Sequence, residues 1–229
     1  MTGLRADAAI ALAIARKDAL AELRGRQIAG STLFFATLVL LLFGFALGPD
    51  ARRLAEAAPG LLWLAIVFGS LLVVARLHQQ EAEDDALEVL VRYPVERHAI
   101  YLGKLLAGIG AVGVLGAVLL PVVGILYGIP LLPAWPALVA TLVLGTIGLA
   151  AVGTFYAGVT VRMQAREVML PLLMLPIVAP LLLACVKATA AAVSGNPLGD
   201  LAAWVQLLVV FDVVMVVAGA ATYGHLLEE

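Results

Sequence analysis

The sequence predicts an all-α integral membrane protein with six transmembrane helices, and three observations carry that prediction. Apolar residues make up 63% of the 229 positions and charged residues 13%, about half the charge of a soluble domain. The apolar residues fall into six unbroken runs near the length of about 20 residues that crosses the hydrocarbon of a bilayer. The 14 Lys and Arg residues are sorted unevenly between alternate connections, as in multi-span proteins.

Residues 1–29 carry Arg5, Asp7, Arg16, Lys17, Asp18, Glu22, Arg24 and Arg26 ahead of any long apolar run, so no cleavable signal is expected. Ile10, Ile14 and Ala21 share one helical strip, Asp7, Asp18 and Glu22 lie on a flank, and basic residues border both. That pattern predicts an interfacial helix. Six spans are then predicted at 30–47, 59–77, 105–127, 137–161, 168–190 and 201–224. Between them "GPDARRLAEAAP", "GIPLLPAWP", "RMQARE" and "KATAAAVSGNPLGD" read as connections, three of them marked as turns by Gly-Pro, Pro-x-x-Pro and Asn-Pro. No repeat or linker divides the chain, so residues 1–229 form one domain.

Small residues point to close helix packing. Gly103, Ala107 and Ala111 are spaced by four, Gly110, Gly113 and Gly116 by three, and Gly145, Gly148 and Gly153 continue the theme. Gly44 and Gly48 make a GxxxG pair. Trp63, Trp135 and Trp204 fall near the predicted outer ends, where interfacial anchors sit.

With a cytoplasmic N-terminus, the inner segments hold Arg5, Arg16, Lys17, Arg24, Arg26, Arg76, Arg92, Arg97, Lys104, Arg162 and Arg166, whereas the outer ones hold Arg52, Arg53 and Lys187. Eleven cations against three place both termini, and the long connector 78–104, in the cytoplasm.

That connector, "EAEDDALEVLVRYPVERHAIYLGK" from residue 81, places five acids within eight residues. Leu87, Leu90 and Val91 recur at helical spacing, while Asp84, Asp85 and Glu88 face elsewhere. Tyr93 precedes Pro94 and is pushed out of the helical region, so a first short helix ends there. A second starts at Pro94, which a first turn tolerates, and runs through Glu96, Arg97, His98 and Lys104 into the third span. Five acids suit a basic protein partner better than anionic headgroups; a solvated connector without a partner is the plainer alternative.

The chemistry is bounded by absences in the sequence. No GxxxxGK[ST] phosphate loop occurs, and "YLGKLL" has a lone Gly-Lys, so this chain is not expected to hydrolyse ATP by that route. The one cysteine, Cys185, excludes CxxC and CxxCH sites. His78, His98 and His225 all map to the cytoplasmic boundary and read as polar residues at a membrane–water edge rather than as ligands of a metal or cofactor. No metal site and no nucleic-acid partner are expected. Asp212 lies mid-span, where a carboxylate costs about 2.5–3.5 kcal/mol on insertion scales. It reads either as a polar point on a substrate or conformational path, or as a neutral acid bonded to a neighbour through Thr154 or Tyr156. Pro171, Pro176 and Pro180 remove backbone donors within ten residues, so that segment is expected to be buried in protein or to line a cavity. It is either a mobile helix or a static kink filled by its neighbours.

Four stretches together resemble the heme exporter protein B family. They are the acid-rich turn with "LEVL", Pro94 and Lys104; "LFGFALGPD" at 42–50; "APGLLWLA" at 58–65; and "LPLLMLPIVAP" at 170–180. They lie in register over essentially the whole chain. That family usually has Pro where Gly44 stands and Gly where Ala86 stands, and its sixth span is not expected to carry Asp212. The resemblance implies an ABC-2-exporter-like permease of the inner membrane, serving c-type cytochrome biogenesis. It implies pairing with a second copy and a separate ATP-binding subunit, beside a heme-handling membrane protein and a periplasmic heme chaperone. Heme is then cargo of the complex and not a cofactor of this chain. The ATPase would dock at Asp84, Asp85, Leu87, Glu88, Leu90 and Pro94. Two alternatives stay open: a similar permease exporting a lipid, drug or polysaccharide, and a non-transporting scaffold that passes ATPase motion to a heme-handling neighbour.

Overall fold

A computed structural model describes residues 2–24, 27–83, 97–160, 166–194 and 200–226. Within them the chain forms seven helices: α1 Thr2–Arg24, α2 Gln27–Leu47, α3 Ala51–Glu83, α4 Arg97–Tyr127, α5 Leu131–Thr160, α6 Arg166–Val193 and α7 Asp200–Leu226. Six are long and apolar enough to cross a membrane, over Gly30–Leu47, Ala51–Arg76, His98–Tyr127, Leu131–Thr160, Val168–Val193 and Leu201–Thr222. The fold is therefore the all-helical, six-span arrangement expected, with α1 as the added N-terminal helix.

Three spans begin earlier than the apolar runs do. The expected connection "GPDARRLAEAAP" shrinks to 48–50, because Asp50 caps α3. Its Oδ1 accepts the backbone N–H groups of Arg52 and Arg53 at 3.0 and 3.3 Å, and its carbonyl accepts that of Leu54 at 3.0 Å. With the first turn so satisfied, Pro59 costs one internal bond and is carried inside the helix. α5 likewise starts early, at Leu131, and carries Pro136 internally. The third span reaches back to His98 instead of 105, and α4 is helical from Arg97 through Lys104 into it, as the sequence leads one to expect. Gly48 and Gly128 have φ of 74° and 67°, left-handed values that end α2 and α4 and that glycine adopts without a Cβ clash. Gly48 thus ends a helix, and among the described residues of the chain nothing packs on it.

Successive spans run antiparallel. Late residues of one meet early residues of the next: Val74 of α3 packs with Ala157 of α5 and Leu170 of α6, and Ala134 and Leu138 of α5 pack with Ala192 of α6. The Tyr127 hydroxyl, at the end of α4, donates to the carbonyl of Leu40 in α2 at 2.7 Å. α3 and α5 form the centre, with 67% and 61% of their spans buried, against 17% for α2 and 11% for α7. α5 earns its place through small residues that admit neighbouring side chains. A Cβ on Gly145 would overlap the Trp63 ring and lie 2.7 Å from Cys185 Sγ; one on Gly153 would lie 3.0 Å from Val74. Gly110 and Gly113, by contrast, face open space, so of that triplet Gly116 alone meets α5, at Leu142.

Trp63 overturns its expected role as an interfacial anchor. It is 1% exposed, seated over Gly145, and its Nε1–H donates to Thr189 Oγ1 at 2.9 Å. The earlier start of α3 moves it more than three turns inside the helix, away from the end. Trp135, 62% exposed, remains at the beginning of α5.

α1 docks along the first turns of α4. Asp7, Ala11, Ile14 and Asp18 recur at the i, i+4, i+7 and i+11 spacing of one helical face. Ile14 joins Ile100, Tyr101 and Leu105 of α4 in a buried cluster. The helices touch closely at Gly103, where an added Cβ would lie 2.8 Å from Ile14 Cβ and 2.9 Å from the Ala11 carbonyl oxygen. Gly103 is therefore a packing residue, as its spacing suggested, but its mate is α1.

Candidate functional site

The expected docking residues Asp84, Asp85, Leu87, Glu88, Leu90 and Pro94 lie outside the described residues. What brackets them is described. α3 continues two turns past Arg76 to Glu83, and α4 is already helical at Arg97. With 33 and 31 residues, these helices run about 46–50 Å at 1.5 Å per residue, well beyond the ~30 Å of hydrocarbon. The connector therefore joins Glu83 of α3 to Arg97 of α4, the end of α4 on which α1 docks.

The first two turns of α4 are held from three directions. Towards α1, His98 Nε2 lies 3.6 Å from Asp7 Oδ2, and Lys104 Nζ lies 3.0 Å from Asp18 Oδ2. The Lys104 and Asp18 side chains are 1% and 6% exposed. Their contact is an ion pair by distance, although Asp18 Oδ2 lacks the angles of a hydrogen bond. Towards α5 and α7, the fully buried Tyr101 points its hydroxyl at the carbonyls of Ala151 and Met215, each at 3.5 Å. The ring fits against Gly219 of α7, where any Cβ would overlap it. One short stretch of α4 thus fastens three other helices.

Sequence reasoning missed the Asp18–Lys104 pair. It placed Asp18 on a polar flank and counted Lys104 among the cytoplasmic cations. The available signal was Asp18 standing four residues after Ile14, which continues the packed face with a carboxylate. A second was Gly103 beside Lys104, marking close approach of another backbone.

Asp212 sits at the middle of α7 and is 5% exposed. Along α7 the buried residues are Leu208, Asp212 and Gly219, a single stripe at i, i+4 and i+11. The carboxyl lies over bare backbone: a Cβ on Gly148 would be 2.6 Å from Asp212 Oδ1 and 2.7 Å from Leu181. Neither carboxyl oxygen has a hydrogen-bond partner among the described residues. The bond to Thr154 or Tyr156 is therefore not made; Thr154 faces Gly108 of α4 instead. Gly145 and Gly148 are one turn apart, so Asp212 shares a layer with Cys185 and the Trp63–Thr189 bond at mid-bundle. Such a carboxyl gains a partner only if helices shift or a proton or donor reaches it.

The α6 prolines do not face inward as a group. Leu170, Met174, Val178, Leu181, Cys185 and Ala188 make the buried face, leaving Pro176 and Pro180 exposed and Pro171 half-buried. The carbonyls they free, of Leu172 and Pro176 four residues back, accordingly lie on the outward side beside Leu172, itself 60% exposed. Among the described residues, no three His, Cys, Asp or Glu side chains converge to hold a metal ion.

Comparison with known proteins bears on the whole of this arrangement. The chain is 31% identical to the heme exporter protein B of Pseudomonas aeruginosa over 197 residues, 86% of this chain and 87% of that one. The family model described as CcmB protein matches residues 9–228. The chain belongs to the CcmB, or heme exporter protein B, family. It is also 36% identical to the Paracoccus denitrificans heme exporter protein B over 154 residues, 67% of this chain and 70% of the relative. For the Bradyrhizobium diazoefficiens protein the identity is 32% over 185 residues, covering 80% and 82%. The CcmB match begins inside α1, crosses the connector and ends beyond α7. The resemblance read from the four stretches is thereby borne out, and with it a multi-pass membrane protein of the permease kind.

Proposed function

We propose that this chain is the membrane permease subunit of an ABC-type complex for c-type cytochrome biogenesis, and that it turns ATPase motion into heme export or into release of a heme-loaded periplasmic chaperone. It works in the bacterial inner membrane with both termini in the cytoplasm. Its partners are a separate ATP-binding subunit, a second copy of itself, a heme-handling membrane protein and the chaperone, with heme as cargo and no cofactor held by this chain alone.

The observation that carries this reading is the fastening of the first two turns of α4 to α1, α5 and α7. Those turns directly follow the acidic connector. A push on Asp84, Asp85, Leu87, Glu88, Leu90 or Pro94 therefore passes along α4 into three helices at once. Through Gly219 it reaches α7, whose buried stripe holds Asp212 two turns away; the same reading makes α6, with Pro171, Pro176 and Pro180, a segment that bends or meets a partner.

The test is charge reversal at the connector. Replacing Asp85 and Glu88 together by Lys is expected to weaken co-purification of the ATPase subunit about tenfold or more, since like charges then face the basic partner. The isolated permease should keep its thermal stability. Undiminished co-purification contradicts docking at this segment.

A further inference from the structure

Of the buried charged residues described, Asp18 and Lys104 answer each other at 3.0 Å, whereas Asp212 stands apart. It is 5% exposed, and neither carboxyl oxygen is hydrogen-bonded. Three helices meet at this carboxyl. Gly148 of α5 and Leu181 of α6 close on it, with Oδ1 2.6 Å from where a Gly148 Cβ would stand. The Gly148 Cα–H is therefore its nearest α5 neighbour, a weak contact at best. The helices packed on α7 are α4, α5 and α6. Among their described residues, α5 carries no charged side chain at all, and its Tyr156 lies two turns beyond Gly148. α6 presents the Cys185 thiol and keeps Lys187 exposed. α4 presents the Tyr101 hydroxyl, aimed at the Met215 carbonyl, while its Lys104 and His98 reach towards Asp18 and Asp7 of α1. No cation faces Asp212 from any of them.

A carboxylate in this place would lack water, donor and counter-ion together, and such a group takes up a proton instead. We infer that Asp212 is a proton-binding site, filled while α7 lies closed on α5 and α6 and emptied when they part. The bound proton makes the O–H bond of a neutral carboxylic acid. When water enters between α7 and α5 that bond breaks, leaving a carboxylate on Asp212 and the proton on water. The fold suits exchange rather than permanent neutrality. Gly148 contributes no side chain to the site, so the close approach of the helices is what keeps water off. α7 is also the least buried span, at 11%, and so the one with the fewest contacts to break on parting. Because the closed arrangement binds the proton more tightly than the open one, acid favours closure and rising pH favours opening. This goes beyond the coupling role proposed above and holds whether or not an ATPase docks at the connector.

The experiment uses the full chain in lipid nanodiscs, as wild type and as the near-isosteric Asp212→Asn. Infrared difference spectra between the two at neutral pH read the C=O stretch of a carboxylic acid, which a carboxylate lacks. That band is expected in the wild type and not in the variant. A carboxylate stretch in its place overturns the inference. The link to helix opening is read at Cys185, buried in the same layer. A membrane-permeant maleimide reports how often the layer opens, and Asp212→Asn, neutral at every pH, corrects for the titration of the thiol itself. The ratio of wild-type to variant labelling is expected to climb as pH rises, by at most about tenfold per pH unit for one linked proton. A ratio that stays level from mildly acid to alkaline pH, or that falls, overturns the inference.

Discussion

Replacing Lys104 with Met is expected to destabilise the protein by about 3 kcal/mol, the low end of the cost of breaking a buried ion pair, since Lys17 Nζ still lies 3.3 Å from Asp18 Oδ1. Asp18 would remain beneath α4 at 4% exposure, with the half-exposed Lys17 as its remaining cation. The loss weakens the docking of α1 on α4, where the pair adds to the packing of Ile14 against Ile100, Tyr101 and Leu105 and to the Asp7–His98 contact. Asp18→Leu is expected to cost a similar amount by removing the carboxylate 3.0 Å from Lys104 Nζ. The exchange Asp18→Lys with Lys104→Asp should recover much of the loss, since both charges are again paired. Cys185 makes the measurement direct: it is free and fully buried, so a thiol-reactive fluorophore reports unfolding as temperature rises. Additive losses in the exchanged protein would show that the pair contributes nothing to docking.

Trp63→Ala is expected to cost about 3 kcal/mol, the low end for emptying an aromatic site. In a membrane the unfolded reference still holds the indole in lipid, so lost packing dominates over transfer. The ring fills a notch that no neighbour can close, because Gly145 has no side chain to move into it. Trp63→Phe keeps most of that volume and loses the Nε1 bond to Thr189, and should cost about 1 kcal/mol. Thr189→Val does the reverse: it retains volume and strands the indole N–H, for about 1–3 kcal/mol. Thermal unfolding followed through Cys185 ranks the three. Trp63→Phe as damaging as Trp63→Ala would mean that the hydrogen bond, and not the packing, holds α3 to α6.

The six spans were legible because run length and charge sorting are local properties of the chain. So was the helical passage from Arg97 through Lys104 into the third span, since nothing in that stretch opposes a helix. Span edges were less legible. Pro59 and Pro136 look like stops, and only capping by Asp50, or a start within one turn of Pro133, lets the helix form before them. Burial of Trp63 depended on the depth at which α3 begins and on a glycine 82 residues away. The Asp18–Lys104 pair likewise joins distant positions, and periodicity cannot reveal which helix a polar strip meets. The α6 prolines illustrate the same limit. Their spacing says that carbonyls are freed, whereas the direction those carbonyls face is set by the apolar residues between them. The acidic connector declared itself by composition, because five carboxylates are conspicuous against an apolar chain.

Everything proposed for the complex depends on the acidic connector lying on the side of the bilayer where ATP is and meeting a separate ATPase there. The most direct measurement is labelling of Asp85→Cys by a membrane-impermeant maleimide in vesicles of known orientation. Reaction in inside-out vesicles, silence in right-side-out ones, and protection when the ATPase subunit is added are the expected results. Labelling from the periplasmic face, or labelling indifferent to the ATPase subunit, would contradict the account.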